Sequence, residues 1–502
     1  MAISVLALMP GADNSSILLA IKPLAHNTLS RMELIADLHC HPSLKPFGRS
    51  FKTDQQRQNP RPVSPANSWF HDKPSVFDKL LNYTAQLTKF RQCDFTSSRT
   101  GRVRVVVASL YPPERGFFVG KLGTGPVADV VLDLATGLGQ QRIQAVQNQQ
   151  DYFQDLLAEY QFLRDLDGQL LTLPTGEKAR YRLCGSRADV EAALQEPDSL
   201  AVLLSIEGAH AFGCGLDPDH HPAQLDTLRA HVRQVKAWAH RPLFITFAHH
   251  FYNELGGHAA SLTGLVAKVA DQSRGLGTGL TALGQAVLRE LLDTSAGPRI
   301  LPDIKHMSRR CRQEYYQLLD AEYAGQDIPI IASHGAVAGN DTDRQLFLDA
   351  DINFYDDDLL RIARSGGLLG LQLDERRVGS PAALRQARGH VLRRKILYNW
   401  AGLVWNQVRH VAEVLDSHGL FAWGSLALGT DFDGIVDPIN GYWTHEQLPV
   451  LSDYLLMHAH NYLTSNSPLA LATNRAVHEE EIVSRIMSDN ALAFLLKYLP
   501  AS

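Results

Sequence analysis

Apolar residues gather in eight short runs, at 33–39, 102–110, 201–207, 243–249, 299–306, 328–334, 367–373 and 425–431. Most are rich in valine, isoleucine and leucine, as expected of parallel strands buried on both faces. Between most of them the apolar positions recur with the period of a helix, as in 226–239, 282–293, 309–324, 356–365 and 393–418. Strand followed by helix, repeated along the chain, predicts an α/β fold of the (β/α)8 TIM-barrel type. The rival is an open doubly wound sheet. It would carry a glycine-rich phosphate turn after an early strand, and none stands in that context.

Two long stretches interrupt the alternation. The barrel is expected over 33–495, after an N-terminal extension at 1–32, with insertions at 42–101 and 111–200. Both follow the first two strands, so they should overhang the end of the barrel where strands terminate. The second contains a helix-like stretch at 141–166 and a hairpin pattern, 169–173 and 179–184, around Pro174-Thr-Gly-Glu. A glycine-rich stretch at 256–284 is expected to be mobile.

Composition narrows the function. The 502 residues are 45% hydrophobic, ample for a large core, and the formal charge of −5 leaves no basic footprint for nucleic acid. The five cysteines (Cys40, Cys93, Cys184, Cys214 and Cys311) are scattered and form no CxxC pair. That excludes a disulfide framework and a thiolate zinc site, and fits a cytoplasmic protein. The short apolar stretch at 3–9 lacks a basic leader, and no run is long enough to span a membrane.

The chemistry lies where the runs end. Six of them close on a metal-capable residue: His39, Glu207, His249, His306, His334 and Asp431. His41 follows His39 by two positions, so both imidazoles share one face of the strand while Cys40 takes the other. A single buried histidine is usually a satisfied core residue. Repetition at the same end of successive strands is what points to a metal, because barrel enzymes carry their reactive groups there. Imidazole with carboxylate suits zinc, with manganese, iron or cobalt as alternatives. A glutamate can bridge two ions. The set therefore suits two divalent ions, His39, His41 and Glu207 on one and Glu207, His306 and His334 on the other. Two cations beside one water would supply hydroxide near neutral pH. Asp431 could shuttle a proton, and His249 could donate to an oxyanion. His250 is expected to point elsewhere, and Asp433 to hold its loop.

At this point the chain resembles the membrane (renal) dipeptidase family of zinc peptidases, within the amidohydrolase superfamily. Six segments carry the resemblance: Asp37-Leu-His39-Cys-His41, Ser205-Ile-Glu207-Gly-Ala-His210, Ile245-Thr-Phe-Ala-His249, Asp303-Ile-Lys-His306-Met-Ser, Ile331-Ala-Ser-His334 and Gly429-Thr-Asp431-Phe-Asp433-Gly. Their order and spacing agree from about residue 33 to Asp489-Asn490. The resemblance implies a binuclear zinc barrel that cleaves a dipeptide or related small amide by metal-hydroxide attack. Three departures qualify it. His41 stands where the family has aspartate. Ile352 stands where the family has the arginine that binds the dipeptide carboxylate, and an aliphatic side chain cannot replace that fork; Arg344 is the nearby cation that could compensate. The insertions look long for the family. Ile352 and Tyr111, the first residue after the second strand, are the positions expected at the substrate.

The expected partners are thus a small amide or dipeptide and two metal ions, most simply Zn2+, with a homodimer left open. Two rivals remain at this stage. An adenosine-deaminase-like barrel also begins His-x-His but normally holds one metal. A barrel that keeps its metal without catalysis would not need Asp431 or His249.

Overall fold

The computed structural model describes residues 34–52, 61–85, 88–120, 123–264, 266–339, 345–434, 437–465 and 468–502. The N-terminal extension expected at 1–32 and Arg344 lie outside the described residues. The strands are β1 (Ile35–Cys40), β2 (Val103–Leu110), β3 (Leu171–Thr172), β4 (Lys178–Leu183), β5 (Ser199–Glu207), β6 (Phe244–Thr246), β7 (Leu301–Asp303), β8 (Ile331–Gly335), β9 (Leu368–Leu371) and β10 (Leu426–Leu428). Eight of them form a parallel path in the order β1-β2-β5-β6-β7-β8-β9-β10. The ring closes between β1 and the end of β10. The amide of His41 donates to the carbonyl of Phe432, and the amide of Asp431 to the carbonyl of His39, both at 2.9 Å. The fold is the (β/α)8 barrel.

Each predicted run overlaps one of these strands, but several strands are shorter than their runs. β6, β7 and β10 each span three residues. As a result His249, His306 and Asp431 lie beyond the strands, in the turns that follow. The backbone there is unusual. His306 and Asp431 have φ of 64° and 61°, the left-handed region that side chains with a Cβ rarely adopt. Glu207, in contrast, is the last residue of β5, and Gly208 behind it has φ of 89°. A Cβ at Gly208 would fall 2.2 Å from the ring of His210, so only glycine allows the chain to turn there.

The hairpin in the second insertion is real, and it does more than expected. β3 and β4 pair antiparallel, and β4 also pairs parallel with the first half of β5, Arg180 opposite Ser199 through Leu183 opposite Val202. β5 meets β6 only at Ile206 and Glu207, which leaves its earlier edge free for β4. The alternation along β4, with Ala179, Tyr181 and Leu183 buried, suits that docking. The single helix expected at 141–166 is two helices, Gln140–Gln147 and Tyr152–Arg164. The carboxylate of Asp151 explains the break: it caps the second helix by accepting from the amides of Phe153 and Gln154. The glycine-rich stretch at 256–284 carries the short helix Val266–Val269 and is stitched to the barrel by bridges such as His258 to Met307.

Candidate metal centre

Seven of the predicted residues meet at the end of the barrel. The Nε2 atoms of His39 and His41 are 3.2 Å apart. His41 Nε2 lies 2.8 Å from Glu207 Oε2, and His39 Nε2 lies 3.6 Å from Glu207 Oε1. Asp431 Oδ1 approaches both imidazoles, at 3.6 Å from His41 and 3.8 Å from His39. On the other side of Glu207, His306 Nε2 and His334 Nε2 face Oε1 at 3.6 and 3.5 Å. His249 Nε2 reaches the same oxygen at 3.4 Å. The atoms fall into two overlapping groups, His39, His41, Glu207 and Asp431, and Glu207, His306 and His334, each within 4.8 Å throughout.

These residues fit divalent cations. Ligand atoms about 2.0–2.1 Å from a tetrahedral ion lie about 3.4 Å from one another, close to the separations above. His334 Nε2 is buried and has no hydrogen-bond partner among the described residues, although its Nδ1 is held by Ser333 Oγ at 3.0 Å. Two imidazole nitrogens facing each other, as in His39 and His41, need a shared cation or a proton between them. Charge agrees with geometry. Burial opposes protonation of His41, but the Glu207 and Asp431 carboxylates outweigh it and lift its pKa well above the histidine value. Burial also opposes ionisation of Glu207, yet the His249, His41 and His39 imidazoles hold it well below the carboxylate range. Burial drives His306 and His334 well down, leaving them neutral with lone pairs to offer.

A supporting layer orients these rings. Ser333 Oγ also meets His39 Nδ1, at 3.1 Å, so one hydroxyl steers two candidate ligands. Asp37, behind His39, accepts from the Thr430 amide and hydroxyl and pairs with His445 Nε2 at 2.8 Å. Asp303 accepts from Thr246 Oγ1, the Lys305 amide and the Ser333 amide, tying β6, β7 and β8 together. Asp433 holds its loop by accepting from the amides of Gln92 and Cys93 and pairing with Lys45 at 2.8 Å.

Above the cluster opens a cavity of about 140 Å³. Glu207, His249, His306 and Asp431 reach its floor, and Tyr111 stands in its wall. Two placements differ from expectation. His250 faces the cavity instead of pointing away, because Ser261 Oγ holds its Nδ1 at 2.6 Å and keeps the ring 4.9 Å from that of His306. Ile352 is 1% exposed and is not among the residues lining the cavity. Its turn is tied down instead by Arg312, which donates to the carbonyl of Asp351.

Other residues enter that strand ends did not reveal. Glu114 Oε2 lies 2.6 Å from His249 Nδ1. Despite its burial, the charges of His249 and His210 bring Glu114 down to about 2. His249, against the same burial, is raised to about 9 by Glu114 and Glu207. Gln372 donates to Asp431 Oδ2 at 2.6 Å. Lys305, Arg376 and Arg377 also line the cavity. A signal existed for the first two. Glu114 stands four residues past β2 and Gln372 one past β9, in or just after the two runs without a metal-capable end.

The sequence model of the membrane dipeptidase family, peptidase family M19, matches residues 70–466. The chain belongs to this family. It is a metal-dependent hydrolase, and the family implies a divalent metal, generally zinc. The matched stretch begins after His39 and His41, so the opening strand lies outside it. No curated protein matches the chain. Among solved structures, a metallopeptidase from Rhodobacter sphaeroides, liganded with a phosphinate mimic of the dipeptide L-Ala-D-Ala, is similar over 93% of this chain and 99% of its own, with 15% identity and a TM-score of 0.51. The dipeptidase AC, a family M19 metallopeptidase, is similar over 82% and 90% of the two chains, with 16% identity and a TM-score of 0.48. At these identities the first comparison speaks to the fold. Among the described residues, no helix is long and apolar enough to cross a membrane.

Proposed function

We propose that the protein is a binuclear dipeptidase-like hydrolase that cleaves a dipeptide or a related small amide. The observation that carries the reading is the position of Glu207, whose two oxygens face His41 on one side and His306 and His334 on the other. His39, His41 and Glu207, with Asp431 beside them, would hold one ion; Glu207, His306 and His334 would hold the second. Zinc ions bound there would lower the pKa of water and polarise the scissile carbonyl.

The chain's own groups would do the rest. Glu114 accepts from His249 Nδ1, which fixes the ring and favours its charged form. Its Nε2–H is then available to the oxygen of a tetrahedral intermediate. Asp431, steadied by Gln372, sits beside both metal groups. It would take the proton that water loses and pass it to the departing nitrogen, which leaves as a neutral amine.

The test is metal analysis together with hydrolysis of a panel of dipeptides, N-acyl amino acids and lactams by the zinc-loaded protein. Two ions per chain with peptide or amide cleavage is the expected result. One ion per chain, or stoichiometric zinc without cleavage of any member of the panel, overturns the reading.

A further inference from the structure

The cavity holds two buried basic side chains that no carboxylate grips among the described residues. Arg377 is 6% exposed and Lys305 fully buried. Among the described residues the Arg377 guanidinium donates one hydrogen bond, to the carbonyl of Ser261, and the Lys305 ammonium one, to Gln372 Oε1 at 3.4 Å. Among the described residues no carboxylate lies within ion-pair distance of either; Asp374 and Asp431 act on both from farther off, and burial lowers Arg377 to about 10 and Lys305 to about 7. Arg376 beside them differs, since Asp374 grips it through both oxygens. A guanidinium has five donors and an ammonium three, and burying them unpaired is costly. Filling the metal centre adds further positive charge below them. Such a site is completed by an anion from outside.

Another part of the lining has the opposite character. It comes from the second insertion and the 256–284 stretch: Phe117, Phe118, Val131, Leu132 and Val266. Phe118 and Leu132 belong to a small apolar core with Leu44, Tyr111 and Ile143, so this side of the cavity is a built surface. It continues outward, with Val131 41% and Val266 38% exposed. Burial of apolar area against such a wall is worth about 25 cal/mol per Å².

We infer that the substrate is amphiphilic, with a carboxylate held by Arg377 and Lys305 and a large apolar group laid against Phe117, Phe118, Val131 and Leu132. The class this describes is an N-acyl amino acid with a long acyl chain, or a peptide of equivalent shape. The position of the scissile amide between the two groups rests on the hydrolase reading above; the recognition of the two groups does not. Arg377 thus supplies, from the loop after β9, the cation that Ile352 does not.

The zinc-loaded protein can be tested by calorimetry with uncleavable ketomethylene analogues: 4-oxotridecanoic acid, its carboxamide, and the short 4-oxopentanoic acid. The long acid should bind at least about 30-fold more tightly than its amide, as a charge-assisted bidentate contact allows. It should also bind at least about 30-fold more tightly than the short acid. In Arg377→Met the acid-over-amide ratio should fall below about threefold, with chain-length preference kept; Arg377→Lys should fall between. In Val131→Asp the chain-length preference should shrink while the acid preference stays. Equal binding of acid and amide by the wild type overturns the inference without any variant. So does an acid preference that survives Arg377→Met, since the metal centre would then hold the carboxylate. If the predicted pattern holds but N-decanoylglycine and dipeptides are not cleaved, the hydrolase reading falls and this inference stands. Cleavage without the pattern gives the reverse.

Discussion

The floor and the walls of the cavity are built by different means. On the floor, His39, Glu207 and His334 sit on strands and the remaining candidate ligands within three residues of one. Their positions are set by a ladder of main-chain hydrogen bonds and by Ser333, Asp37 and Asp303 behind them. In the walls, the groups come from loops and insertions far apart in sequence: Phe118 and Leu132 from 111–200, Ser261 and Val266 from 256–284, Arg377 from the loop after β9. The floor carries the chemistry that a metal hydrolase needs, and strands hold it because ligand atoms must stay within a few tenths of an ångström. The walls carry recognition, which tolerates exchange of whole segments on the same barrel. This contrast lets the recognition groups change while the candidate ligand cluster stays in place.

The sharpest way to break that contrast is at the centre of the floor. Glu207→Gln keeps the shape but removes the charge that faces five imidazoles. Metal content should fall below one ion per chain, and kcat/KM should drop by about 10³-fold or more. Retention of two ions would show that the floor is not organised around Glu207. His306→Ala separates the two halves of the floor. Elemental analysis should give one ion per chain, with kcat reduced about 100-fold and the His39 and His41 half still loaded.

Glu114 tests where floor ends and wall begins, since it touches His249 but no proposed ligand except through it. Glu114→Gln should lower kcat about 10- to 100-fold with metal content unchanged and KM moved little. Loss of metal in that variant would make Glu114 part of the floor. The smallest effect is expected behind the wall, at Glu159, which accepts from Ser43 Oγ and the Tyr111 amide at 2.7 and 2.8 Å. Burial, with a smaller push from Asp155, raises it to about 7 from an ordinary 4.5. Between those values the unfolded chain has released this proton while the folded chain keeps it. Stability from this group is therefore full below pH 4.5 and is lost as pH rises through 7, by about 1–3 kcal/mol. Glu159→Gln should flatten the fall of Tm between pH 5 and 7.5; an unchanged slope would mean the carboxylate is ionised in the folded protein.

Legibility followed the same division. A strand end is visible in sequence because an apolar run stops there, and a histidine or acid at the stop has one obvious place to point. That exposed His39, Glu207 and His334 directly. It reached His249, His306 and Asp431 as well, although the short β6, β7 and β10 leave them in turns, two of them with left-handed backbone. His250 departs from strand alternation because β6 ends four residues before it, leaving it in a turn where Ser261 aims the ring. Ile352 was read by alignment to a motif, and alignment says nothing about which way a turn in the chain faces.

What the amino-acid sequence by itself determined is the barrel and the set of metal-capable residues at one end of it, because local hydrophobic periodicity dictates strands and strand direction dictates a common end. What only the tertiary structure decided is who shares the cavity and who touches whom: Glu114 on His249, Gln372 on Asp431, and Arg377 and Lys305 in one cavity with an apolar wall. Those groupings join residues far apart in sequence; Glu114 and His249 are separated by 135 positions. They depend on how loops pack, and no local period in the chain encodes that.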